Sequence, residues 1–96
     1  MLNKAEMSKI KERVRGLSRF IFALRALADK NRLSLFLALH DAGELCVTDA
    51  ARALEVSVPA ASQQLRILEL AGLVKRERRG QMMYYTVENR DPLVRG

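Results

Sequence analysis

Residues 44–85 read ELCVTDAARALEVSVPAASQQLRILELAGLVKRERRGQMMYY, and their order constrains the fold more than any other part of the chain. Thr48–Leu54 has the apolar spacing of a short helix, Glu55-Val56-Ser57 that of a tight turn, and Val58–Leu70 that of a second helix. After Ala71-Gly72 the pattern becomes a basic hairpin, LVKRERRGQMMYYTV. Two helices at a steep angle, joined by a turn of about three or four residues, are the unit that sets one helix into a DNA major groove. A charged hairpin directly behind such a unit can lie along phosphates. The order therefore predicts an α+β, mostly helical winged helix-turn-helix domain, with the helix-turn-helix at 48–71 and the wing at 73–87.

Charge follows the same division. The chain of 96 residues carries a net +6 and fits a single domain over 1–96, with a core small enough that dimers are common at this size. Residues 1–40 hold nine Lys/Arg against three acids, residues 41–56 are net −3, and residues 57–81 return to +3. Basic groups thus gather on the first helix and on the second-helix-plus-hairpin unit, as a phosphate-binding face requires. A merely solvated basic surface is the competing reading. The N-terminus is charged and amphipathic and no run approaches eighteen apolar residues, which predicts a chain that spans no membrane. One cysteine cannot form an internal bridge and suits a reducing cytoplasm.

The first helix is expected from near Asn3 to Leu27. Met7, Ile10, Val14, Leu17, Ile21, Leu24 and Ala28 recur at alternating spacings of three and four, the seam of two helices packed lengthwise. Phe20, Ala23 and Leu27 give the C-terminal half another apolar face. Two faces imply two partners, the protomer's own core and a second copy, so residues 1–27 are read as a dimerisation helix contacting its twin through Met7, Ile10, Val14, Leu17, Ile21 and Leu24. One wide core-facing stripe is the alternative.

Asp29 is placed to cap the next helix, along which Leu33, Phe36, Leu37 and His40 share one face and Leu35 and Leu39 reach another. Gly43 can end it with positive φ. Glu44–Val47 is expected as a small strand against the hairpin. Thr48 is then expected to cap Asp49–Leu54, and Ser57 to cap Val58–Leu70, with Pro59 tolerated in its first turn. Ala61, Leu65, Leu68 and Leu70 are read as inward. Strands are expected at Val74–Arg78 and Met82–Val87, and the closing ENRDPLVRG, broken by Pro92, is too short for a substantial last helix.

Residues 27–87 resemble the ArsR/SmtB family of winged-helix repressors. LADKNRLSLFLAL is similar to that family's L-A-D-P-T-R-L helix opening, and SVPAASQQLRILELAGLVKRERRGQMMYY to its S-x-S-x-x-S-x-H-L-x-x-L-x-x-A-G-L-V-x-x-R-R-x-G-x-x-x-Y-Y stretch. Ser57, Ser62, Leu65, Leu68, Ala71-Gly72-Leu73-Val74 and Gly80 match. The resemblance implies a symmetric dimer that binds an inverted repeat in double-stranded DNA near a promoter and is released by an inducer, whose identity these residues leave unassigned. The family's histidine is Gln64 here, and Pro59 and Ala60 stand where it often has hydroxyl residues. These departures lie on the DNA-facing turn.

Independently of the resemblance, Gln63 and Gln64 can pair with adenine edges. Ser62 can reach a base or a phosphate, and Ser57 sits at a helix N-terminus suited to a phosphate. Arg66 is long enough for the backbone, and Arg78, Arg79 and Gln81 are placed for phosphate or minor-groove contact. Pro59 and Ala60 complete the expected face. An exposed polar helix surface is the plainer reading of the glutamines. The family's thiophilic-metal motif E-L-C-V-C-D reads Glu44-Leu45-Cys46-Val47-Thr48-Asp49, so the second thiolate is absent. Cys46 with His40, the only histidine, falls short of a tight site of three or four ligands, and Cys46 is expected as a small core residue. No metal, cofactor or nucleophile–base pair is expected, hence no enzyme. The rival to a DNA-binding regulator is a winged-helix module for protein–protein contact.

Overall fold

A reciprocal pair of hydrogen bonds starts the first helix. Asn3 Oδ1 accepts the Glu6 N–H at 2.8 Å, and the Asn3 N–H donates to Glu6 Oε1 at 3.1 Å, which satisfies donors a helix start otherwise leaves open. In the computed structural model, which describes residues 1–88, α1 then runs over Lys4–Leu27. Its 24 residues span about 36 Å at the helical rise, and the molecule measures 56 × 26 × 20 Å. Only Ala23 and Ala26 of α1 are buried, and residues 1–19 are exposed throughout.

Asp29 caps α2 (Lys30–Ala42), its Oδ2 accepting the Arg32 N–H at 3.0 Å. Gly43 ends it at φ 86°, a region where a side chain would be strained. The α2 face bearing Leu35 and Leu39 is the one in the core, while Leu33, Leu37 and His40 are exposed. β1 is shorter than expected, Leu45–Cys46, and α3 (Val47–Leu54) begins at the next residue. Thr48 is therefore not the cap of α3. Cys46 holds that position, in extended backbone and without a side-chain hydrogen bond, because it is paired across the ladder with Tyr84.

Two bonds close α3: the Val56 N–H donates to the Ala51 carbonyl at 3.0 Å and the Glu55 N–H to the Arg52 carbonyl at 3.2 Å. This is a Schellman ending with Glu55 left-handed at φ 57°. The chain turns sharply there, and Ser57 caps α4 (Val58–Leu70), Oγ accepting the Ala60 N–H at 3.2 Å. Pro59 lies in the first turn, where its missing N–H removes no helical bond. β2 (Val74–Arg79) and β3 (Met82–Val87) pair in register from Val74–Val87 to Arg79–Met82, one pair further than the expected end at Arg78. The sheet order is β1-β3-β2, antiparallel throughout.

Leu35, Leu39, Leu65, Leu68 and Leu73 are fully buried. The alanines Ala23, Ala26, Ala50, Ala51 and Ala61 fill the gaps between helices, where a larger side chain would hold the backbones apart. Leu70 departs from its expected inward place and is 67% exposed. Five residues beyond Leu65, it is rotated about 140° round the helix, away from the core. The closing segment read as lacking a substantial helix lies, after Glu88, outside the described residues.

Candidate nucleic-acid interface

The sharp α3–α4 turn leaves one side of α4 uncovered. Ala61, Leu65 and Leu68 anchor the helix inward, and Pro59, Ser62, Gln63 and Arg66 stand exposed on the other side. Ala60 is half-buried on the flank. Ser57 Oγ is occupied by the cap, so its contribution to an anion would come through the helix N-terminus as much as the hydroxyl. Gln64 is half-buried, and its Oε1 accepts a hydrogen bond from Arg32 Nη1 at 3.1 Å. The two neighbouring glutamines are thus in different settings, Gln63 free toward solvent and Gln64 tied to α2.

The wing's cations differ in the same way. Arg79 is clamped: Nη1 and Nη2 donate to the two oxygens of Glu44 at 2.8 and 2.7 Å, Nη2 also to Glu77 at 3.2 Å, and the guanidinium lies 4.6 Å from the Tyr84 ring centre. The bond from Arg79 holds the Glu44 carboxyl below its ordinary 4.5, and the bonds to Glu44 and Glu77 push the Arg79 pKa up. Arg76 pairs with Glu69 of α4 at 3.1 Å. Lys75 and Arg78 are exposed and belong to none of the ion pairs among the described residues, and Gln81 is exposed at the hairpin turn. Sequence reading had no signal for the Arg32 and Glu44 contacts, because their partners lie 32 and 35 residues away.

The seam of α1 faces away from the protomer's core. Met7, Ile10, Val14, Leu17, Ile21 and Leu24 are 40–59% exposed, and their mean direction lies about 180° round the helix from Ala23 and Ala26. Cys46 is buried at 7% exposure, in the strand pair with Tyr84. Among the described residues no three His, Cys, Asp or Glu side chains gather as a metal would need. No helix there is long and apolar enough to cross a membrane.

Helix-turn-helix, three-stranded sheet and basic hairpin in this order define a winged helix-turn-helix domain of the type that engages DNA. The model of a helix-turn-helix domain family matches residues 27–77, and the chain belongs to the ArsR/SmtB family of winged helix-turn-helix transcriptional regulators. It is 52% identical over 62 residues to a transcriptional repressor SmtB homolog of Synechocystis, covering 65% of this chain and 46% of the relative. HlyU of Vibrio cholerae in reduced form superposes with a TM-score of 0.75 at 31% identity, over 88% of this chain and 85% of that one. A homodimeric winged helix-turn-helix DNA-binding domain of a possible ArsR-family regulator from Mycobacterium bovis gives a TM-score of 0.75 at 29% identity, over 85% and 73%. The chain spans about half the length of the curated relatives it matches.

Proposed function

We propose that the protein is a homodimeric, sequence-specific DNA-binding transcriptional regulator that acts as a repressor. In this reading α4 enters the major groove and presents Ser62 and Gln63 to base edges and Arg66 to the backbone. The wing approaches phosphate through Arg78 and Gln81, with Ser57, Pro59 and Ala60 at the entry of the helix. Arg79, held by two carboxylates, serves the wing's shape, and it reaches DNA only if a phosphate displaces Glu44. The carrying observation is the exposed α4 face beside Lys75 and Arg78, which join no ion pair among the described residues, backed by a core that buries the helix's opposite side.

Dimerisation is assigned to α1. Its first sixteen residues have no buried side chain, and a helix of that length without packing is marginal in water. A second copy of the seam supplies the missing partner, and the Mycobacterium bovis relative is described as homodimeric. Two recognition helices held about 34–36 Å apart would enter successive major grooves. A mobility-shift titration on the DNA upstream of the gene, repeated with metals and oxidants, tests the reading. A shift that weakens with salt is expected, and no shift on any duplex would remove it.

A further inference from the structure

We infer that Arg32 and Gln64 are positioning residues which fix the recognition helix relative to the dimerisation helix, leaving base reading to Gln63. The inference rests on the DNA-binding reading above. Three hydrogen bonds converge on Arg32. Its Nε donates to the Ala26 carbonyl in the last turn of α1 at 2.7 Å, and its Nη1 donates to Gln64 Oε1 in the middle of α4 at 3.1 Å. Its own N–H donates to Asp29 at the α1–α2 junction at 3.0 Å. One side chain therefore joins the helix that carries the seam to the helix that carries the DNA-facing residues.

Guanidinium chemistry suits this task. Nε and Nη1 sit in one rigid plane, so the carbonyl of α1 and the amide oxygen of α4 are held at a fixed separation and direction. An ammonium group could bond either acceptor but would impose no such geometry. Gln64 also sits where a positioning residue belongs. The bond it accepts turns its amide oxygen toward Arg32, whereas a bidentate pair with adenine needs that oxygen and the amide nitrogen turned together to the base edge. Gln63, the preceding residue, is exposed and its amide makes no hydrogen bond among the described residues. Since each copy of α1 is joined to its own α4, loosening the bridge lets the two recognition helices vary in separation and tilt. The property lost is the preference for one spacing of half-sites, and the preference for particular bases within a half-site is retained.

The test begins with duplexes selected from a random-sequence pool by the wild-type protein, then remade with one base pair inserted or removed between half-sites. Arg32→Ala and Gln64→Ala are expected to weaken binding to the natural spacing about tenfold, the scale of one charge-assisted hydrogen bond. They should erode the discrimination against the altered spacings by a similar factor. The double variant should be no worse than either single one, because both remove the same bridge. Gln64→Glu keeps an acceptor for Arg32 and should keep the spacing preference, and Gln63→Ala should relax base preference while leaving spacing untouched.

A Gln64→Ala variant that relaxes base preference at one position of each half-site, with spacing discrimination intact, would overturn the inference. Thermal unfolding of wild type, Arg32→Ala, Gln64→Ala and the double variant without DNA supplies an independent reading. Non-additive melting shifts for Arg32→Ala and Gln64→Ala are expected, and strictly additive shifts would overturn the bridge whatever happens on DNA. Coupled melting in a protein that binds no selected duplex would instead refute the DNA-binding reading and leave the bridge standing.

Discussion

Replacing Val14 and Leu17 together with glutamate should turn the dimer into a folded monomer. Both side chains are about half exposed in the protomer, at 59% and 49%, and neither touches its core. Burying a whole aliphatic side chain is worth about 1.5–3 kcal/mol, so covering the exposed half of each contributes about 1 kcal/mol. The six seam residues of each protomer then supply about 12 kcal/mol in the dimer, against association costs of about 4–15 kcal/mol. The margin is narrow. Removing four of the twelve contributions takes away about 4 kcal/mol, which weakens association roughly a thousandfold. The four new carboxylates would also have to leave water beside one another in an apolar seam. Light scattering during gel filtration should report a monomer whose circular dichroism retains most of its helix, with some loss from the unsupported N-terminal half of α1. A dimer that survives both glutamates would refute the seam assignment and the energetics behind it.

Arg78→Ala should weaken binding to all duplexes alike and flatten the dependence of log affinity on log salt by about one unit, as the loss of one phosphate contact does; salt titrations of both proteins check this. Arg79→Ala should change that slope less, since Glu44 and Glu77 already neutralise its charge. Glu44 has a folded pKa below its unfolded one, so the clamp's contribution to stability is complete above 4.5 and disappears as pH falls through the depressed value. Glu44→Gln should accordingly melt slightly below wild type at neutral pH and level with it in acid. Cys46→Ser should leave dimerisation, DNA binding and any metal response nearly intact, because Thr48 stands where a second thiolate would be. A metal or oxidant response abolished by this change, in mobility shifts with each added, would restore a sensory role to the cysteine.

Local signals made most of this fold legible. Asp29, Ser57 and Gly43 act where caps and a positive φ were expected, and α4 begins and ends at Val58 and Leu70 as its spacing predicts. The expectations that failed depended on context beyond the local window. Thr48 looks like a cap until strand pairing with Tyr84 fixes Cys46 in extended backbone and brings the helix start forward. Leu70 is apolar, yet its place round the helix turns it away from the core that Leu65 and Leu68 enter. The bonds that Arg79 makes to Glu44 and Gln64 to Arg32 were equally illegible, since their partners lie 35 and 32 residues away. Spacing of three and four along α1 is legible as apolar, but only the fold reveals that Ala23 and Ala26 take the core side and leave the seam outside.

Selection of random-sequence duplexes by the wild-type protein, compared with a Ser62→Ala, Gln63→Ala, Arg66→Ala variant, asks whether α4 reads DNA sequence. Wild type should enrich an inverted repeat whose half-sites lie about one helical turn, 10–10.5 base pairs, apart or a multiple of it. The triple variant should remain dimeric and folded, since all three side chains are exposed, and should enrich nothing above its weak, salt-sensitive background. Enrichment of the same repeat by both proteins would contradict the assignment of α4 as the reading helix. Failure of wild type to enrich any sequence would contradict DNA recognition itself.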